Sequence, residues 1–232
     1  KDIYFRKIYN VILIIYIKVL NIFKNKFPFL TNKQSNQLGI LKKLYKKWNE
    51  KINVVSRKDI DNLDLRHVLH SLSILNVIKF EDKTNVLDVG TGGGFPGLPL
   101  AIAFPNVNFF LCDSVQKKIK VIDSISKELN LKNINTIVGR AEKINRKFDF
   151  VISRAVTNLP SFIKIIRGKI SEYEKNEFKN GVFYLKGGDF SNELVSFDEY
   201  KIFEIKNYFK QPFFETKKII YIPNSCVDKG NL

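Results

Sequence analysis

Methionine is absent from this 232-residue chain, position 1 included, so the expectation is that its first residues are incomplete or misassigned. Cysteine and histidine are almost as scarce. Cys112 and Cys226 have neither the spacing of a disulfide framework nor that of a metal cluster, which fits a reducing cytosol, and His67 and His70 fall in the N-terminal helical stretch, where a general base is a secondary reading. No metal is expected. Long apolar runs are also lacking. The stretch Ile3 to Phe23 is interrupted by Arg6, Lys7, Asn10, Lys18 and Asn21, which leaves only Val11 to Ile17 strictly apolar. A spanning helix needs about 20 such residues, and no small-residue cleavage site follows to mark a secretory signal. Residues 1–18 therefore read as a basic, hydrophobic extension of unclear role: a membrane-surface or packed amphipathic helix first, a mis-started or vestigial extension next, and a true span last. Acidic residues are outnumbered, with Asp+Glu 23 against Lys+Arg 39. The resulting charge of +16 favours a polyanionic partner such as RNA.

What is present is a globular composition, 44% hydrophobic with 20 Phe, enough for one sizeable core. Leu38, Leu41, Leu44, Tyr45 and Trp48 recur at helical spacing beneath a lysine-rich face. A second helical stretch, "LDLRHVLHSLSILNVI", completes an N-terminal cap over 19–80, with "FEDKTN" as the hinge. Beyond it, apolar runs at Val86 to Val89, Asn108 to Cys112, Thr136 to Val138, Phe148 to Ile152 and Val182 to Leu185 alternate with helical segments. That alternation predicts a doubly wound α/β sheet over 81–223. Tyr200 to Ile205 and Lys217 to Ile222 read as a closing antiparallel pair, and 224–232 as a tail.

The loop after the first strand reads "DVGTGGGFPG". Gly92 to Gly97 match G-x-G-x-x-G, a weak pattern by itself. A dinucleotide site wants its first glycine directly after the strand, and that place belongs to Gly90, from which the spacing fails. Counted from the strand end, Asp88, Gly90, Gly92 and Gly94 occupy every second position. This D-x-G-x-G-x-G form is similar to the cofactor loop of class I S-adenosylmethionine-dependent methyltransferases. Asp113, in "NFFLCDS", then ends the second strand where an acid would hold the ribose hydroxyls. A dinucleotide oxidoreductase is the competing reading.

The fourth strand, "FDFVISRAVTNLP", has neither the [DN]-P-P-[YF] clamp of amino-directed enzymes nor a nucleophilic cysteine. An acceptor with a free lone pair at neutral pH suits such a site, since positioning alone then suffices. Guanine N7 is one. Strand carboxyl ends line the crevice of an open parallel sheet, so Lys186 after the fifth strand should face substrate, and Lys217 and Lys218 at the last strand are further candidates.

"VLDVGTGGGFPGLPLAI", "DSVQKKIKVI", "GRAEKI", "DFVISRAV", "YLKGGD" and "WNEKINVVSRKD" resemble the ribosomal RNA small subunit methyltransferase G family, also known as glucose-inhibited division protein B, from about Leu20 to Pro223. The resemblance implies transfer of a methyl group from S-adenosylmethionine to N7 of one guanine in 16S rRNA, in the bacterial cytoplasm. It further implies cofactor contacts at Gly90, Phe95, Ala141, Glu142 and Arg154. A methyltransferase acting on another RNA or on protein is the alternative. Residues 1–18 match nothing in the family pattern.

Overall fold

The structure is a computed structural model that describes residues 22–154 and 156–229. The extension 1–18 lies outside the described residues. Helix α1 (Asn32–Asn49) opens on a capping box: the Thr31 hydroxyl accepts from Gln34 N and the Gln34 side chain accepts from Thr31 N. Leu38, Leu41, Leu44 and Tyr45 are its buried stripe. The second cap segment is not one regular helix. A 3-10 turn (Ile60–Asn62) leads into a π-helical segment (Asp64–Leu69), a short α2 (His70–Leu72) and another 3-10 turn (Ser73–Asn76). Serines account for part of this, because Ser71 and Ser73 donate their hydroxyls to the carbonyls of His67 and His70 at 2.6 Å and compete with the backbone ladder.

The rest is a seven-stranded sheet in the order β3-β2-β1-β4-β5-β7-β6. Its strands are β1 (Asn85–Val89), β2 (Asn108–Asp113), β3 (Ile134–Val138), β4 (Phe150–Arg154), β5 (Gly181–Gly187), β6 (Lys201–Glu204) and β7 (Lys217–Pro223). The first five are parallel, and β7 runs antiparallel to both β5 and β6. Helices α3 (Gly97–Ala103), α4 (Gln116–Glu128), α5 (Leu159–Ile166), α6 (Ser191–Leu194) and α7 (Asn224–Lys229) lie between and after the strands.

Side-chain alternation sorts the strands onto two cores. Val86, Phe109, Leu111, Phe150, Ile152 and Phe183 point to one face, where α3, α4 and the cap share a single apolar cluster with them. Leu87, Val89, Cys112, Val151, Val182 and Tyr184 point to the other, covered by α5, α6 and α7. The cap is thus seated on the sheet itself, with Phe23, Phe27, Leu38 and Tyr45 all fully buried or nearly so.

Candidate active site

The site begins at the end of β1. Asp88 is fully buried, and its Oδ2 accepts from the Thr91 hydroxyl at 2.6 Å and from Gly97 N at 2.8 Å. A Cβ at Gly97 would lie 2.7 Å from that oxygen, so only glycine lets α3 start this close to the strand. Burial pushes the Asp88 carboxyl up to about 7, against the pull of its two hydrogen bonds. Gly90 turns the chain with φ +66, and a Cβ there would come within 2.5 Å of Val156 Cγ2. The loop is therefore a cradle that any side chain would fill.

Asp113 ends β2 facing this cradle. Its Oδ2 accepts from Gly92 N at 2.9 Å and its Oδ1 from Val115 N at 2.8 Å, while Lys118 Nζ stands 3.7 Å away. Each carboxylate oxygen keeps a lone pair for a further donor. A cavity of about 130 Å³ lies here, lined by Gly90, Cys112, Asp113, Ala141, Glu142 and Val156 among others. Ala141 is buried and Glu142 exposed on a 3-10 turn (Ala141–Lys143). Buried Lys169 fixes that turn by donating to the carbonyls of Glu142 at 3.0 Å and Ile144 at 2.9 Å. The Cys112 thiol is pushed up to about 11, first by burial and then by Asp113, which makes it a poor nucleophile.

Beyond Val156 opens a larger cleft of about 600 Å³ between sheet and cap. Arg154, Tyr184, Lys186 and Lys217 line it from the strand ends, and Arg66, His67 and His70 line it from the cap. Arg154 donates to Arg66 O at 3.2 Å and meets His67 Nδ1 at 2.8 Å, with its guanidinium 5.4 Å from the centre of the Phe95 ring. Lys186 is paired with Glu193 at 2.6 Å, and Lys217 stands 5.2 Å from the Phe213 ring. The Tyr184 hydroxyl accepts from Val156 N at 3.1 Å and Thr157 N at 3.2 Å and donates to Thr157 O at 2.8 Å, so it tethers the segment that divides cavity from cleft.

The residues singled out in the sequence thus fall into three places. Gly90, Asp113, Ala141 and Glu142 surround the small cavity, and Gly92 is joined to them through its hydrogen bond to Asp113. Arg154, Lys186 and Lys217 meet in the larger cleft. Phe95 lines neither: it is buried beneath the cap, 5.0 Å from the rings of both Tyr45 and His67. Sequence reasoning passed over the contacts of Arg66 and His67 with Arg154, the Tyr184 tether and the Lys169 brace. Nothing in local pattern separates a tethering tyrosine at a strand end from a core aromatic, or a bracing lysine from a surface one.

The fold and this paired cavity define a class I S-adenosylmethionine-dependent methyltransferase. A MtNAS variant solved in complex with S-adenosylmethionine is similar in fold, with a TM-score of 0.52 at 9% identity over 83% of this chain and 76% of that one. The family model described as rRNA small subunit methyltransferase G (GidB) matches residues 34–220. The "Ribosomal RNA small subunit methyltransferase G" of Christiangramia forsetii is 52% identical over 204 residues, 88% of this chain and 97% of its own length. Its namesake from Flavobacterium psychrophilum is 53% identical over 197 residues, 85% of this chain and 94% of that one. The chain belongs to this family and is an rRNA methyltransferase that uses S-adenosylmethionine. The residues present fit that cofactor: a glycine cradle that a Cβ would obstruct, and beside it a buried carboxylate with acceptor capacity to spare. Among the described residues no group of His, Cys, Asp or Glu could hold a metal ion, and no helix is long and apolar enough to cross a membrane.

Proposed function

We propose that this protein methylates N7 of one guanine in 16S rRNA, taken as naked RNA or in the small subunit, in the cytoplasm. The observation that carries the reading is the cation-lined cleft that adjoins the Gly90 cradle across Val156, where His67 and Asp59 are already engaged by arginines. His67 meets Arg154 through Nδ1 and is held unprotonated, its pKa lowered to about 4 by burial and then by Arg154. Asp59 is engaged by Arg66 at 2.5 Å and by the Ser56 hydroxyl at 2.7 Å, which holds its carboxyl below the usual range. Guanine N7 carries its lone pair at neutral pH and needs no proton removed, so such a site has only to align it. S-adenosylmethionine supplies a methyl group on a sulfonium, electrophilic enough for a neutral ring nitrogen.

Gly90, Gly92, Asp113, Ala141 and Glu142 are the residues that would hold the cofactor, with Phe95 supporting the loop from below. Lys186 and Lys217 would meet RNA phosphate, and Arg154 would meet either an RNA phosphate or the cofactor's carboxylate. The test is to incubate the protein with radiolabelled S-adenosylmethionine and either 16S rRNA or small subunits, then identify the labelled nucleoside. N7-methylguanosine at one position, mapped by reduction and strand scission, is expected. Label in N6-methyladenosine or 5-methylcytidine would refute N7 chemistry, and label in protein alone would favour a protein methyltransferase.

A further inference from the structure

The guanidinium of Arg154 is largely buried, yet among the described residues no carboxylate lies within ion-pair distance of it. Burial lowers its pKa only to about 10, so it remains a cation at neutral pH. Buried charges in folded proteins are ordinarily paired, because desolvating an unpaired one is expensive. Asp88 and Asp59 favour the charge from beyond contact distance, and its direct partners are neutral: Arg66 O on Nη1, His67 Nδ1 on Nη2, and the face of Phe95 in the loop after β1. Two of the five guanidinium N–H bonds are thereby committed, and the others remain for a ligand in the cleft that Arg154 lines. His67 is itself fixed, its ring 5.0 Å from that of Phe95. It sits on a π-helical segment, a rare geometry that recurs at functional sites.

We infer that His67 is a positioning residue: its unprotonated Nδ1 accepts from Arg154 Nη2 and holds the guanidinium on the wall of the cleft, set to receive an anionic oxygen group. That group is an RNA phosphate or the cofactor's carboxylate, and the inference rests on the proposed methyl transfer only for its activity readout. The acceptor matters here, and imidazole chemistry does not. Asparagine places its Oδ1 close to where histidine has Nδ1, whereas phenylalanine keeps the ring against Phe95 and has no acceptor.

The test compares wild type, His67→Phe, His67→Asn, Arg154→Met and the double variant His67→Phe with Arg154→Met. Thermal melts verify folding, calorimetry with S-adenosylmethionine and filter binding with 16S rRNA give the two affinities, and methyl incorporation gives kcat and KM. His67→Phe should lower one affinity, and with it kcat/KM, by about tenfold or more, the loss of a charge-assisted hydrogen bond, and His67→Asn should restore most of it. In the Arg154→Met background His67→Phe should have little further effect, since the two act as one unit. Loss confined to RNA affinity identifies phosphate as the anion, and loss confined to cofactor affinity identifies the carboxylate. Unchanged affinities in His67→Phe, an equally impaired His67→Asn, or additive losses in the double variant would overturn the inference. The binding measurements hold whichever nucleotide is methylated, so they stand apart from a failure of the N7 reading.

Discussion

His70 and Asp88 are buried and His67 half-buried, and their environments pull stability in opposite directions with pH. Burial, then Arg154, lowers His67 to about 4, and His70 is lowered well below its usual value by burial, then Arg154 and Lys217. An unfolded histidine takes up a proton near pH 6.5 while these do not, so stability complete above that pH is lost as pH falls toward 4. Asp88, raised to about 7, does the reverse: the folded carboxyl takes up its proton first, and its contribution grows as pH falls below 7. Thermal and urea melts from neutrality to about pH 5 should therefore show a shallower acid loss in His67→Asn, by on the order of 1 to 2 kcal/mol, and a steeper one in Asp88→Asn. Equal slopes in all three proteins would mean that these groups titrate as they do in the unfolded chain.

Elements carry the site by what their ends bring together. The carboxyl ends of β1, β2 and β4 deliver Gly90, Asp113 and Arg154 to one edge of the sheet because the strands are parallel and in register, with Val89 opposite both Cys112 and Ser153. β5 adds a tether beside the cleft cation Lys186. Tyr184 has a fully buried ring, 4.8 Å from that of Phe162, and its hydroxyl serves three backbone groups of Val156 and Thr157. Tyr184→Phe removes those three hydrogen bonds while keeping the ring. It should cost about 1 to 2 kcal/mol in urea denaturation, toward the lower part of the range for unsatisfied partners because Val156 is partly exposed and water can reach it. S-adenosylmethionine should also bind more weakly, since Val156 forms the wall of the cradle; wild-type stability and affinity together would show the tether to be dispensable.

For the whole molecule, the charge of +16 acts through a few placed cations and a broad field. Lys186 and Lys217 both line the cleft, but Lys186 is already matched by Glu193, whereas Lys217 stands over the Phe213 ring and is in no ion pair among the described residues. Lys217→Ala should therefore flatten the salt dependence of rRNA binding by about 0.7 to 0.9 log units per log unit of salt, and Lys186→Ala by clearly less. Identical slopes for the two variants would mean that RNA binding breaks the Lys186 to Glu193 pair, and no change in either would place the phosphate contacts elsewhere.

Local pattern determined much of this protein. Strand alternation, the spacing of α1 and the D-x-G-x-G-x-G run each follow from interactions within a few residues, and so they were legible in sequence: a parallel sheet closed by an antiparallel strand, a helical cap, and a glycine cradle with an acid at the next strand end. Tertiary structure decided the rest. The resemblance puts Phe95 among the cofactor contacts, and only the fold shows that the cap covers it with Tyr45 and His67. Arg154 reads as a strand-end cation, yet its partners are Arg66 and His67, far back in the chain. The second cap stretch reads as one helix, yet it is broken into π, α and 3-10 turns. Periodicity reports which face of an element is apolar, whereas the partner of a buried polar group depends on which distant segment is packed against it, and only the folded chain supplies that neighbour.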